Sequence, residues 1–227
     1  MKTDAKGWRQ SGEKPEYEHI LSSDARAFLN RITYHFGEKR IELLKRNHTI
    51  DEHRNHGPSF PIETKRIREG DWTVGRIPKD LKEMAVRKKL LRSLHLEVQV
   101  DGHLKSASFY DFTNHFFHLN HYFYLPTIDN ALEARLWNDL FVYAQNDQRL
   151  PLGTIKVIAL INSNAAMETD EILYELKEHC IGVQLSKISR FEGGLASFMN
   201  MYSLVRETCE KRGAFVLDNR TTEVTHS

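Results

Sequence analysis

The sequence predicts an α/β fold built on a parallel sheet, and three observations carry the prediction. Residues 122–176 alternate between short apolar runs and stretches of helical period, in the order strand, helix, strand, helix. The run 155–161 is β-branched and almost wholly apolar, as in a strand covered on both faces. With 227 residues, 40% of them hydrophobic, the chain is long enough for one sizeable core.

Composition narrows the function classes. The 32 basic and 31 acidic residues leave a net charge of +1, so no overall field draws the chain to nucleic acid or to an anionic membrane. No stretch approaches the roughly 18 consecutive apolar residues of a membrane span, and the opening MKTDAKGWRQ lacks the apolar core of a signal peptide, so a cytoplasmic location is expected. Cys180 and Cys209 form no CxxC pair and are read as packing residues of a reducing compartment. The terminal Thr225, His226 and Ser227 make no peroxisomal address.

Taken in order, residues 1–20 are polar and glycine-containing, a flexible arm. A first helix is expected to be capped by Ser23, with Asp24 at its positive end and Phe28, Leu29, Ile32 and Phe36 on one face. Gly37 is expected to interrupt it before a second piece carrying Ile41 and Leu44. His48, His53 and His56 fall in a polar segment and are read as solvated rather than metal-ligating. In the run 67–72, Trp72 is expected to anchor a loop while Arg68 and Glu69 reach neighbouring polar groups. Leu94, Leu96, Val98 and Val100 alternate with polar residues as a half-buried strand, and Asp101-Gly102 supplies a turn.

A helix is expected from about Ser108, with Phe109, Phe112, Phe116, Phe117 and Leu119 as its apolar face. His115, His118 and His121 spread over roughly 120° of its circumference, too wide for one ion, and are read as polar-face residues. Strand 122–125 closes at Pro126. The next helix carries Leu132, Leu136, Leu140 and Tyr143 behind Asp129 as N-cap, and residues 167–179 return to helix after the strand 155–161.

The words FYLP, EARLWND, GTIK and DEILYEL, in this order, resemble malate synthase of the shorter, A-type form. The resemblance extends back through IETKRIREGDWTVGRIPKDL at 62–81 and forward through TCEKRGAF at 208–215. It implies a TIM barrel with an N-terminal helical clasp and a C-terminal helical domain, condensing acetyl-CoA with glyoxylate to malate with Mg2+. A barrel alone takes about 250 residues, so the chain resembles a shortened, internally deleted relative. The expected fold class is therefore a partial (β/α)8 TIM barrel with an N-terminal clasp, lacking several barrel strands and the C-terminal helical domain. The corresponding division is a clasp at 21–81, an incomplete barrel at 82–217 and a polar tail at 218–227.

The same resemblance allows the site to be checked position by position. The segment that carries early barrel strands in the family is reduced here to 82–86. Arg87 falls on the first arginine of the family's Arg-Pro-Arg-Gly turn, which stabilises negative charge on the substrates. It also belongs to a basic run with Lys88, Lys89 and Arg92 that suits a solvated helix, and both readings stand. The two Mg2+ carboxylates of the family correspond to Asn162 and Ser189, and Lys187 stands at a family arginine. One amide and one hydroxyl remove two negative charges from the shell of a hard cation. Glu168, Asp170 and Glu171 are read as acids of a helix N-terminal turn, not as replacement ligands. The family's catalytic Asp belongs to the C-terminal domain and has no counterpart here. The expectation is a degenerate member without activity of its own, with an active malate synthase completed by unrecognised segments or a partner chain, or a non-enzymatic binding remnant, as the alternatives. The degenerate member would bind neither Mg2+ nor the substrates acetyl-CoA and glyoxylate in the family manner, and could associate with itself through exposed barrel edges.

Overall fold

The computed structural model describes residues 21–53, 64–76, 89–162, 165–185 and 194–217, with side chains left out of account at 48–53, 89 and 194–198. The chain runs α1 (Ser23–His53), α2 (Lys65–Glu69), β1 (Lys89–Leu90), β2 (Glu97–Val100), β3 (His103–Ser106), α3 (Ala107–His118), β4 (Tyr122–Tyr124) and α4 (Ala131–Asp147). It continues with β5 (Lys156–Ile161), a 3-10 turn (Ala165–Glu168), α5 (Thr169–Glu175), β6 (Cys180–Leu185), α6 (Gly194–Arg212) and β7 (Phe215–Leu217). Five strands form one sheet in the order β1-β4-β5-β6-β7, every pair parallel. Strands that follow one another through helices and pair side by side in parallel are the repeating unit of a barrel. Here β1 and β7 are the two edges of an open sheet among the described residues, so the barrel is partial and unclosed.

The pleat explains why the strand sequences are apolar on both faces. Phe123, Leu125, Val157, Ala159, Ile161, Val183 and Leu185 join the main core with the helices. Tyr124, Ile158 and Ile181 point the other way and gather Tyr122, Leu160, Phe215 and Leu217 into a second, smaller cluster on what would be the barrel interior. Gly182 sits in this layer: a Cβ there would lie 2.8 Å from the ring and the carbonyl of Phe215, so only glycine lets β7 approach β6.

Several expectations are corrected. Ser23 is the first helical residue rather than the cap, and Ser22 Oγ accepts from Ala25 N at 3.3 Å. Gly37 does not interrupt the helix, and α1 is continuous over 31 residues. The buried stripe of Phe28, Leu29, Ile32 and Phe36 continues through Arg40, Leu43 and Leu44, and a mid-helix glycine costs only about 1 kcal/mol against that packing. Phe28 anchors α1 among Phe112, Phe116, Phe117 and Tyr143, with ring centroids 5.2–6.4 Å away. The strand predicted from Leu94 starts only at Glu97, since 94–95 turn and Leu96 is exposed. It forms an antiparallel hairpin with β3 across Asp101 and Gly102, both at positive φ as a tight two-residue turn requires. On α3, Leu119 is exposed beyond the helix end. His115 is buried rather than on a polar face, its Nε2 2.9 Å from Asn120 Oδ1 and its ring against Phe123. The helix expected over 167–179 divides into the 3-10 turn and α5, which ends at Glu175. Residues 176–179 then turn back to start β6.

The two cysteines are buried and free, and burial pushes the Cys180 thiol up to about 12 and the Cys209 thiol further still, as inert packing residues. Among the described residues no helix is long and apolar enough to cross a membrane.

Candidate functional site

In parallel α/β folds ligands gather at the carboxyl ends of the strands. At that end of β4 and β5 the chain builds a polar network. Ile128 bridges to Ile161 and donates its N–H to Leu160 O at 2.8 Å, which places Asp129 beside Asn162 at the end of β5. The Asn162 amide joins the two loops. Its Nδ2 donates to Asp129 Oδ1, and its Oδ1 accepts from Ala165 N at 2.9 Å. The orientation is fixed by chemistry: reversing the amide would set oxygen against carboxylate and N–H against N–H.

The N-cap of α4 is Asn130, not Asp129 as the sequence suggested. Asn130 Oδ1 accepts from Leu132 N and Glu133 N at 3.0 and 3.1 Å. Its Nδ2 donates to Asn47 Oδ1 on α1 at 2.7 Å, and Asn47 Nδ2 donates to Glu133 Oε1 at 2.6 Å. Glu133 Oε2 accepts from Asp129 N at 2.9 Å, and Glu168 Oε2 accepts from Ala131 N at 2.9 Å. The network therefore ties α1 to both strand-end loops. The pattern Asn130-x-x-Glu133 was a readable capping signal, whereas nothing in the sequence points from Asn47 to Glu133, 86 positions away.

Glu133 is buried, and its carboxyl is pushed up to about 7, chiefly by burial and further by the Asp129 charge. The Asp129 N–H and the Asn47 amide pull the other way. A carboxyl raised on folding contributes stability that is fully present below its unfolded value and lost as pH rises through about 7. Stability from this group should thus fall by on the order of 3 kcal/mol between about pH 5 and pH 8. Buried His179 has the opposite sign. Burial lowers its pKa, so its contribution is lost as pH falls below the ordinary histidine range. Urea unfolding of wild type and Glu133→Gln at each pH isolates the Glu133 part as a difference that changes with pH.

Of the residues singled out from sequence, Asn162 is placed at the end of β5 as described. Arg87, Lys187, Ser189 and His56 lie outside the described residues, and His48 and His53 lie in α1 with side chains outside them. Glu168, Asp170 and Glu171 each bind a neighbouring element. Glu168 meets the start of α4; Asp170 Oδ1 accepts from Arg212 Nε at 2.6 Å; Glu171 takes Arg68 and, at 2.6 Å, the Thr64 hydroxyl.

The donor set at β5 does not fit the Mg2+ implied by the sequence resemblance. Asn162 Oδ1 already accepts a backbone hydrogen bond, and its Nδ2 places N–H donors where a cation would need oxygen. Among the described residues no three His, Cys, Asp or Glu side chains converge as a metal site.

A parallel, unclosed sheet packed against helices, with a polar network beyond the carboxyl ends of β4 and β5, defines an α/β barrel-type protein. A family model described as malate synthase, TIM barrel domain, matches residues 84–215. The malate synthase of Myxococcus xanthus (strain DK1622) is 30% identical over 309 residues, taking in 89% of this chain and 57% of the relative. Malate synthase A of Escherichia coli (strain K12) is 25% identical over 315 residues, 92% of this chain and 59% of the relative. That of Streptomyces arenae is 39% identical over 105 residues, 46% of this chain and 18% of the relative. The chain belongs to the malate synthase family. It spans less than two thirds of the length of these relatives. Aligned spans of 309 and 315 residues exceed the 227 of the whole chain, so these relatives contain internal segments that this chain lacks.

Proposed function

We propose that this chain is a degenerate malate synthase family protein that keeps the packing of the barrel segment and has lost the Mg2+-dependent condensation of acetyl-CoA with glyoxylate. The observation that carries the reading is Asn162. At the strand end where the resemblance implies a metal carboxylate, an amide spends its oxygen on Ala165 N and turns its N–H toward Asp129. The metal would polarise the glyoxylate carbonyl and hold it beside the attacking carbon, so losing it affects binding and chemistry together. Ser189 at the second carboxylate position and the missing internal segments support the same reading. Arg87 remains the one candidate for a retained charge-stabilising residue, and a cytoplasmic protein is the setting that fits.

Purified protein incubated with acetyl-CoA, glyoxylate and Mg2+ should release no free thiol above the background without enzyme. Turnover that EDTA abolishes would contradict the proposal.

A further inference from the structure

The sequence reading placed residues 21–81 together as one clasp, yet the two described parts of that region bind different ends of the molecule. Helix α1 packs on α3 and α4 through Phe28, Ile32 and Phe36, and its Asn47 reaches Glu133. Residues 64–76 instead lie along α5 and α6. Val74 N donates to Arg212 O at 2.9 Å and Gly75 N to Lys177 O at 2.6 Å, just before β7 and β6 respectively. The closeness is built in at Gly75, where a Cβ would lie 3.3 Å from Lys177 O.

Arg212, the last residue of α6, is the reader of this segment. It is 1% exposed, and all five of its N–H donors are used. Nε donates to Asp170. Nη1 donates to Gly70 O and Trp72 O at 2.7 and 3.4 Å, and Nη2 to Ile67 O and Arg68 O at 3.0 and 2.8 Å. Four carbonyls of a six-residue stretch thus converge on one guanidinium. Trp72 covers it with its ring centroid at 4.2 Å and donates its own indole N–H to Ile67 O at 2.7 Å. On the other side Arg68 and Thr64 bind the buried Glu171, and Lys211 Nζ donates to Arg68 O at 2.7 Å.

We propose that Thr64–Arg76 is a strap belonging to the barrel unit, captured by Arg212 and Glu171, and that the boundary with the helical arm lies before Thr64 rather than after Leu81. The segment matched by the barrel-domain model begins at residue 84, so the strap precedes that segment in the chain yet packs on elements within it. The strap clamps α5 to α6 beside β7, the edge strand of the open sheet among the described residues. A backbone-reading guanidinium suits this task because a planar fork can hold several carbonyls at once, which an ammonium cannot.

Hydrogen exchange followed by mass spectrometry on the full chain tests the assignment. In wild type at low denaturant, amides at 70–76 should open together with 176–183 and 208–216, and separately from α1. Arg212→Lys should speed exchange at 70–76 by at least tenfold while leaving α1 unchanged. If that variant does not fold, Trp72→Phe, which removes the indole N–H to Ile67 and reduces the ring over Arg212, should shift 67–76 in the same direction by a smaller factor. Strap amides that exchange in step with α1, or that ignore both substitutions, would overturn the proposal.

Discussion

Arg212→Met is expected to destabilise the protein by about 3–5 kcal/mol, the usual loss when one member of a buried ion pair is removed. Asp170 would lose its bidentate-capable partner, the carbonyls of Gly70 and Trp72 would lose the guanidinium donors, and those of Ile67 and Arg68 would keep only Trp72 Nε1 and Lys211 Nζ. Methionine fills much of the same volume, so the loss reports hydrogen bonds and charge rather than a cavity. For a chain of this size it corresponds to a fall in Tm of roughly 10 °C, readable by calorimetry. A variant within 1 kcal/mol of wild type would mean that the strap carbonyls find water when the arginine is gone.

The second large effect is expected at Asn162. Asn162→Asp keeps the oxygen that accepts from Ala165 N but turns the donor facing Asp129 into a second acceptor. Two carboxylates in one half-buried site repel, and a cost of about 1–3 kcal/mol is expected at pH 7. The sign with pH follows. The like charge raises a carboxyl pKa in the folded state, so stability is fully present below the unfolded value, near pH 4, and is lost as pH rises. Urea unfolding should therefore find the variant close to wild type near pH 4 and weaker at pH 7. Adding the carboxylates back in the form Asn162→Glu with Ser189→Asp is expected to give no thiol release, because the internal segments present in the relatives are still missing.

How far these features were legible in the sequence depends on how local their causes are. The alternation of apolar runs with helical periods located β4, α4 and β5 to within a residue at most boundaries, because burial on a parallel sheet writes itself into consecutive residues. Gly37 misled because a glycine's local cost is small beside a stripe that continues on both sides of it. Leu96 misled because period two held while the chain turned at 94–95. At the site, the resemblance singled out Asn162 as the residue at a metal-carboxylate position. What the amide does, joining Asp129 to the next turn, depends on the bridge between Ile128 and Ile161 and could not be read. Arg212 was the least legible: a basic residue before a glycine at a helix end ordinarily signals only a C-terminus. Its partners lie 140 to 145 positions away in sequence on the strap and 42 away at Asp170.

If Asn162 stands where the family holds a metal carboxylate, the end of β5 should bind no divalent ion. The most direct test is titration of Mn2+, as a spectroscopic stand-in for Mg2+, followed by electron paramagnetic resonance of the free ion in the presence of stoichiometric protein. The account predicts a free-ion signal equal to that of buffer at every ratio, unchanged by Asn162→Ala. One bound ion per chain, displaced by Mg2+ and lost in Asn162→Ala, would contradict it.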